Sequence, residues 1–309
     1  NGLSSKWAFL AYLFAFFGMI GGLPAVQSNQ MVQIITEFAM PILSFDNQLV
    51  FDIVCGLIIA VLAGTVIIGG LTRIAKASSW LVPIMGGLYV LTATFILIAN
   101  YEDVPNVIKT IFSDAFTGTS VAGGTLMGVI MYGIQRGAFS NEAGIGTEAL
   151  IHGTAKTNSP IKQGFVAMIG PIFDTLLICT ATAVVIILSG LWMGDQYSGV
   201  SLTAMAFQTF LGSIGVVVVF LCVVFFGIST IFTYSYYGSV CARFLFGPKG
   251  QKIYLYVFIA TIIFFASISL DSAINIIDGS FAMMAIPTLI SSIILAPKVI
   301  AEANKFLAR

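Results

Sequence analysis

Charge is scarce in this 309-residue chain: Asp, Glu, Lys and Arg make up 8% of it, against about a quarter in soluble globular domains. The 13 basic residues cancel the 13 acidic ones. There is therefore neither the basic field that holds nucleic acid nor an acidic solvating tail, and nucleic acid is excluded as a partner. His152 is the single histidine, which removes His-rich zinc sites and Ser-His-Asp triads at once. With no HExxH or GxSxG pattern either, the chain is not read as an enzyme. The four cysteines, Cys55, Cys179, Cys222 and Cys241, are widely spaced in or beside apolar stretches and read as small core residues rather than a disulfide framework. What the chain does have is apolar surface, with 58% hydrophobic residues and a mean hydropathy of +1.03. This is the composition of an all-α polytopic membrane protein whose main partner is the lipid bilayer.

Uncharged stretches of the roughly 20 residues that a spanning helix needs occur eight times, near 7–32, 49–71, 79–99, 115–135, 163–191, 205–240, 254–270 and 273–297. The sixth is overlong and is expected to begin with a short surface helix before Gly212. Alternating the connections between two sides puts twelve of the thirteen basic residues on one side, Lys109 being the exception. Most acids fall opposite: Glu37, Asp46, Glu102, Asp103, Asp114, Asp195 and Asp271. Because cytoplasmic loops retain Lys and Arg, both ends of the chain are expected in the cytoplasm and the protein in the plasma membrane.

Lipid offers no hydrogen-bond partner, so polar patches at membrane depth must face protein or a wet cavity. Thr117 to Thr125 holds four hydroxyl residues and three glycines. It reads either as a break that turns backbone groups and a helix N-terminus near Gly124 toward an anion, or as small residues packed against a neighbour. Ser229, Thr230 and Thr233 lie close enough to hold an alkali cation, or bond back to their own helix. Gln27, Ser28, Asn29 and Gln30 either bind a polar substrate or mark a solvated helix end. Asp174, about twelve residues into the fifth span, could ligate sodium, relay a proton or bond a neighbouring helix. Asp52 and Asp278 are expected nearer the outer surface, in reach of water. His152 is read as a surface residue of the Arg136–Lys162 connection.

That connection opens with Arg136-Gly137-Ala138-Phe139-Ser140-Asn141-Glu142-Ala143-Gly144-Ile145-Gly146. Ser159-Pro160-Ile161-Lys162-Gln163-Gly164 and Phe173-Asp174-Thr175-Leu176-Leu177-Ile178-Cys179-Thr180 follow it. In this order the three blocks resemble the alanine or glycine:cation (sodium:alanine) symporter family. Val26-Gln27-Ser28-Asn29, Gly69 to Ala75, Val82-Pro83-Ile84-Met85 and Met284-Ala285-Ile286-Pro287 extend the likeness over nearly the whole chain.

The resemblance implies a LeuT-like fold of two inverted repeats with substrate and sodium near the midplane. The eight spans then correspond to core helices three to ten. Residues 1–100 form the last three helices of the first repeat and 101–309 the second repeat, with a broken helix near 115–137. On that map the family's first two core helices have no counterpart, and the chain, which opens on Asn1, is expected to be the C-terminal part of a longer transporter. The implied function is sodium-coupled import of alanine or glycine by alternating access, with sodium co-transported; a proton-coupled amino acid transporter and a channel are the alternatives. Carried over by motif, Gln27, Thr125 and Val129 would meet substrate and Thr230, with Ser229, sodium; the polar patches themselves add Thr119, Gly123, Gly124 and Tyr234 to the substrate site and Thr233 to the sodium site. Asp174 would be an ion or proton site, and Arg136, Ser140, Asn141 and Glu142 a gate loop. The family's Gly-Asn-Met is Leu23-Pro24-Ala25 here, its aromatic after Gly-Gly is Thr125, and its tryptophan is Tyr234, so the cavity wall is altered.

Overall fold

The computed structural model describes residues 3–117, 126–194 and 196–308, and the regular structure among them is helical. Its α-helices are α1 (Ala8–Gly21), α2 (Ala25–Ala39), α3 (Gln48–Ile67), α4 (Leu71–Ala99), α5 (Val104–Thr117), α6 (Leu126–Asn141) and α7 (Thr147–His152). After these come α8 (Pro160–Pro171), a π-helix (Ile172–Cys179), α9 (Thr180–Ser189), α10 (Val200–Leu211), α11 (Ser213–Ala266) and α12 (Leu270–Leu307).

Among the described residues six helical stretches are long and apolar enough to cross a membrane: Ser5–Ala39, Gln48–Ile67, Leu71–Ala99, Pro160–Ser189, Ser213–Ala266 and Leu270–Leu307. Eight spans are expected from sequence, and two features account for the difference. The 54 residues of α11 are two helices joined at Gly247, whose φ of 72° and ψ of −169° suit a residue without Cβ. Pro248 follows and cannot donate back into the preceding turn. The sixth and seventh expected spans are the two arms of this bend. The fourth falls on α5 and α6, each too short to cross alone. The expected break at Gly123 and Gly124, with the substrate positions Thr119 and Thr125, lies outside the described residues, as does the side chain of Val129.

The first span, expected unbroken over 7–32, is two helices interrupted at Gly22-Leu23-Pro24. Pro24 biases Leu23 away from helix and contributes no N–H. Gly22 backs onto α11 so closely that a Cβ there would lie 3.0 Å from the Gly238 nitrogen. The Tyr254 hydroxyl donates to the Met19 carbonyl at 2.8 Å, satisfying an acceptor close to the interruption. The expected loop holding Arg73 and Lys76 is instead the first turns of α4, after a turn at Gly69 and Gly70. The helix before Gly212 does exist as α10, but it is not on the surface. Ala204, Ala206 and Phe207 are fully buried between α9 and α11.

Among the described elements α11 is the hub, packing against α1, α2, α3, α4 and α10, while α12 lies along α1. One apolar core joins α2, α3, α11 and α12 through residues such as Met31, Ile59, Ile231 and Phe258; a second joins α4, α9, α10 and α11 around Phe207. Outward-facing Trp80, Leu91 and Ile293 are more than 70% exposed, a pattern that fits contact with lipid rather than water.

Candidate functional site

The polar stretch of α11 opens onto a cavity of about 340 Å³. Ser229, Thr230, Thr233, Tyr234 and Tyr237 line it from α11, and Ser140, Asn141, Glu142, Glu148 and His152 line it from the α6–α7 region. Asp174 of the π-helix and Ser78, Val82 and Met85 of α4 complete the wall. The cation residues, the ion-site Asp174 and three of the four gate residues proposed from sequence are thus brought to one place, Arg136 excepted, although they come from helices far apart in the chain.

Within α11 the hydroxyls differ. Ser229 donates to the Phe226 carbonyl at 2.9 Å and Thr233 to the Ser229 carbonyl at 3.1 Å, the helix-internal bonding that sequence left open. Among the described residues Thr230 has no such partner. Opposite them, Ser140 donates to Asp174 at 2.6 Å, and its oxygen lies 3.2 Å from the Cys179 sulfur. Asp174 and Cys179 are five residues apart, the span of a π-helical hydrogen bond and a little over one turn, so both meet the same serine. Asn141 donates to Thr175 at 2.9 Å, a contact that the sequence did not flag.

Three of the four residues expected in a gate loop, Arg136, Ser140 and Asn141, are instead helical, in the last turns of α6. The chain leaves the helix at Glu142, a non-glycine residue at φ 55°, a strained geometry that concentrates at functional sites. Its carboxylate accepts from the Thr147 hydroxyl and from Tyr234. Burial pushes the Glu142 carboxyl above the usual carboxylate range; the hydrogen bonds from Thr147 and Tyr234 oppose that, and the nearby Glu148 and Asp174 add to it. Glu148 is raised by burial too, with His152 opposing. His152 is not a free surface residue: it lines the cavity, and the Gln163 amide donates to its Nδ1 at 2.7 Å if that nitrogen is unprotonated. The turn after Glu142 seats Ile145 in the core, 2% exposed. The Thr288 hydroxyl of α12 donates to the Ile145 carbonyl at 2.9 Å.

Arg136 has a different task. It reaches Asp278 of α12 at 2.8 Å, and Gln135 donates to the same carboxylate oxygen at 2.9 Å. Asp278 is thus clamped by two consecutive residues of α6 and does not simply face water, contrary to expectation. An acid and a base matched in a low-dielectric setting explain the pairing, and no local spacing announces it.

Gln27 sits at the start of α2 behind the cavity, against Tyr234. Among the described residues its buried Oε1 has no hydrogen-bond partner, and neither has the buried Ser28 hydroxyl. The other amides of that patch are structural. Asn29 donates to the Ile268 carbonyl at 2.6 Å, Gln30 accepts from the Val200 N–H at 2.9 Å, and Gln33 donates to Ser201 at 3.0 Å. These ties border a second, larger cavity of about 980 Å³, with Glu37, Asp46 and Asp52 in its wall. Asp52 accepts from Thr36 there at 2.6 Å. Where α2 meets α11, Met31 packs on Gly227.

A family model described as the sodium:alanine symporter family matches residues 1–309. Similar proteins include an uncharacterized transporter of Haemophilus influenzae, 36% identical over 319 residues, which cover 100% of this chain and 67% of that protein. Sodium/alanine symporter AgcS of Methanococcus maripaludis is 35% identical over 305 residues, 96% of this chain and 65% of the relative. Amino-acid carrier protein AlsT of Bacillus subtilis is 34% identical over 301 residues, 96% and 61% respectively. The chain thus spans about two thirds of the length of these relatives.

Proposed function

We propose, from the premise that this chain belongs to the sodium:alanine symporter family, a family of transporters and not of enzymes, that it builds the transport path of a sodium-coupled symporter importing alanine or glycine. The observation that carries this reading is the buried Gln27 Oε1, unpaired among the described residues, directly behind Tyr234, which itself lines the cavity that collects Thr230 and Asp174. A buried acceptor without a donor costs about 1–3 kcal/mol, and the ammonium of an amino acid supplies the missing donor. Thr230, with Ser229 and Thr233 beside it, offers hard oxygens for sodium. Asp174, already holding Ser140, serves as a second acidic wall or as an ion site.

Two cavities support alternating access: substrate enters by one and leaves by the other as the α2–α11 seam and the gate exchange openness. In this reading the fold is LeuT-like, its spans are core helices three to ten, and the break in the fourth span receives the substrate carboxylate. The basic side, with both ends of the chain, faces the cytoplasm of a plasma membrane. The larger cavity is then the outer vestibule, and its carboxylates favour entry of a cation.

The test is uptake of labelled alanine and glycine into proteoliposomes carrying the protein expressed from its complete reading frame. An inward sodium gradient is compared with equal sodium on both sides. Concentrative uptake that needs the gradient and is lost in Thr230→Ala is the expected result. Uptake driven by a proton gradient alone refutes the cation assignment, and uptake of neither amino acid under any gradient refutes the substrate class.

A further inference from the structure

The turn after α6 carries a carboxylate into a place poorly suited to a charge. Glu142 sits at φ 55°, and the turn it begins is wedged between helices. A Cβ on Gly146 would meet Thr288 Oγ1 of α12 at 2.5 Å and Phe14 of α1 at 2.8 Å, and Ile145 is buried behind it.

The groups around Glu142 are predominantly acidic or neutral. From α11, Tyr234 donates to it and Tyr237 lies beside it; Glu148 approaches from α7, with His152 one turn on, and Asp174 from the π-helix. Near this turn α1 and α12 present Phe14, Thr288 and Leu289, and α4 presents Ser78, Val82 and Met85 to the cavity. The base on α6 itself, Arg136, is paired with Asp278. His152 is therefore the basic side chain among the cavity's lining residues, set against three carboxylates in about 340 Å³. Like charges in one poorly hydrated space cannot all stay ionised without a cation. A proton on one of the carboxyls relieves this repulsion and leaves the hydroxyl-lined part of the cavity to sodium.

We infer that Glu142 is a proton-binding site, and that its occupancy keeps the turn of residues 142–146 seated against α1, α11 and α12. This rests on reading the cavity as one end of the transport route. Seated, the carboxyl lies above its ordinary range; unseated and hydrated, it returns to that range. The seated turn therefore binds a proton that the open turn releases. Seating is stabilised in full at acid pH and is lost as pH rises through the raised value. The proton comes from water at the cavity mouth and returns there on opening, so an alkaline interior favours the open gate.

Backbone hydrogen exchange at residues 143–147, on the complete protein in lipid nanodiscs and corrected for intrinsic chemistry, tests this without any transport assay. Its failure is therefore distinct from failure of the symporter reading. Protection is expected to fall about tenfold per pH unit across the window in which Glu142 ionises. Glu142→Gln, neutral at every pH, should stay at the acid level throughout. Thr147→Val removes a hydrogen bond that favours the charged form, so its midpoint should move to higher pH; this variant decides the matter if the glutamine variant does not fold. A flat wild-type profile, a Glu142→Gln profile that follows wild type, or an unmoved Thr147→Val midpoint would overturn the inference.

Discussion

Replacing Gly146 by alanine strikes the gate turn at its tightest point, and the cost can be worked from the geometry. Gly146 holds φ at +101°, and placing an L-residue in left-handed backbone costs about 1–2 kcal/mol. The added methyl would stand 2.5 Å from Thr288 Oγ1 and 2.8 Å from Phe14 Cε2, where ordinary contact needs about 3.5–4.0 Å. Overpacking of that kind costs about 1–3 kcal/mol. The sum, roughly 2–5 kcal/mol, corresponds to between about thirty-fold and a few thousand-fold more frequent opening of the turn. Gly144→Ala is the control. At φ +86° its backbone is strained as well, but the new methyl would touch only Leu289, at an ordinary 3.7 Å, so about 1–2 kcal/mol is expected. Exchange protection at the Ile145 and Thr147 amides, measured at one acid pH in nanodiscs, reads both variants. Equal losses in the two, or no loss in Gly146→Ala, would refute the seating of this turn against α1 and α12.

Other outcomes follow from the packing. Asp278→Asn and Arg136→Met should each lower stability by about 1–3 kcal/mol by leaving a charged partner unmatched, whereas the double change should cost less than the sum in a thermal-denaturation cycle. Phe207→Ala, which empties a fully buried site beside Tyr89, should cost about 3 kcal/mol by the same measurement; a loss under 1 kcal/mol would place α10 at the surface after all. Tyr254→Phe deletes the bond to the Met19 carbonyl and should cost about 1 kcal/mol, with faster exchange at the end of α1 as its local sign.

The membrane class, most of the spans and the break before α11 were legible because hydropathy and glycine placement are local properties that add along a segment. The interruption at Gly22-Leu23-Pro24 was written in the chain but masked by the strength of the apolar run around it. Arg136 to Asn141 looked like a loop because polar and charged residues crowd there; a helix tolerates them once Asp278, Asp174 and Thr175 supply partners. Helix α10 looked superficial because its burial comes from α9 and α11 rather than from any feature of its own twelve residues.

By itself the sequence determined that this protein is helical and lies in a membrane, and which polar residues are costly enough there to need a reason. Tertiary structure alone decided which of them meet: Glu142 with Thr147 and Tyr234, Ser140 with Asp174, Arg136 with Asp278, and Gln27 against Tyr234 with one oxygen unpaired among the described residues. The physical reason is that burial cost depends on a residue and its immediate neighbours in the chain, whereas the partner that offsets it sits on another helix, at a depth and rotation set by how whole helices pack.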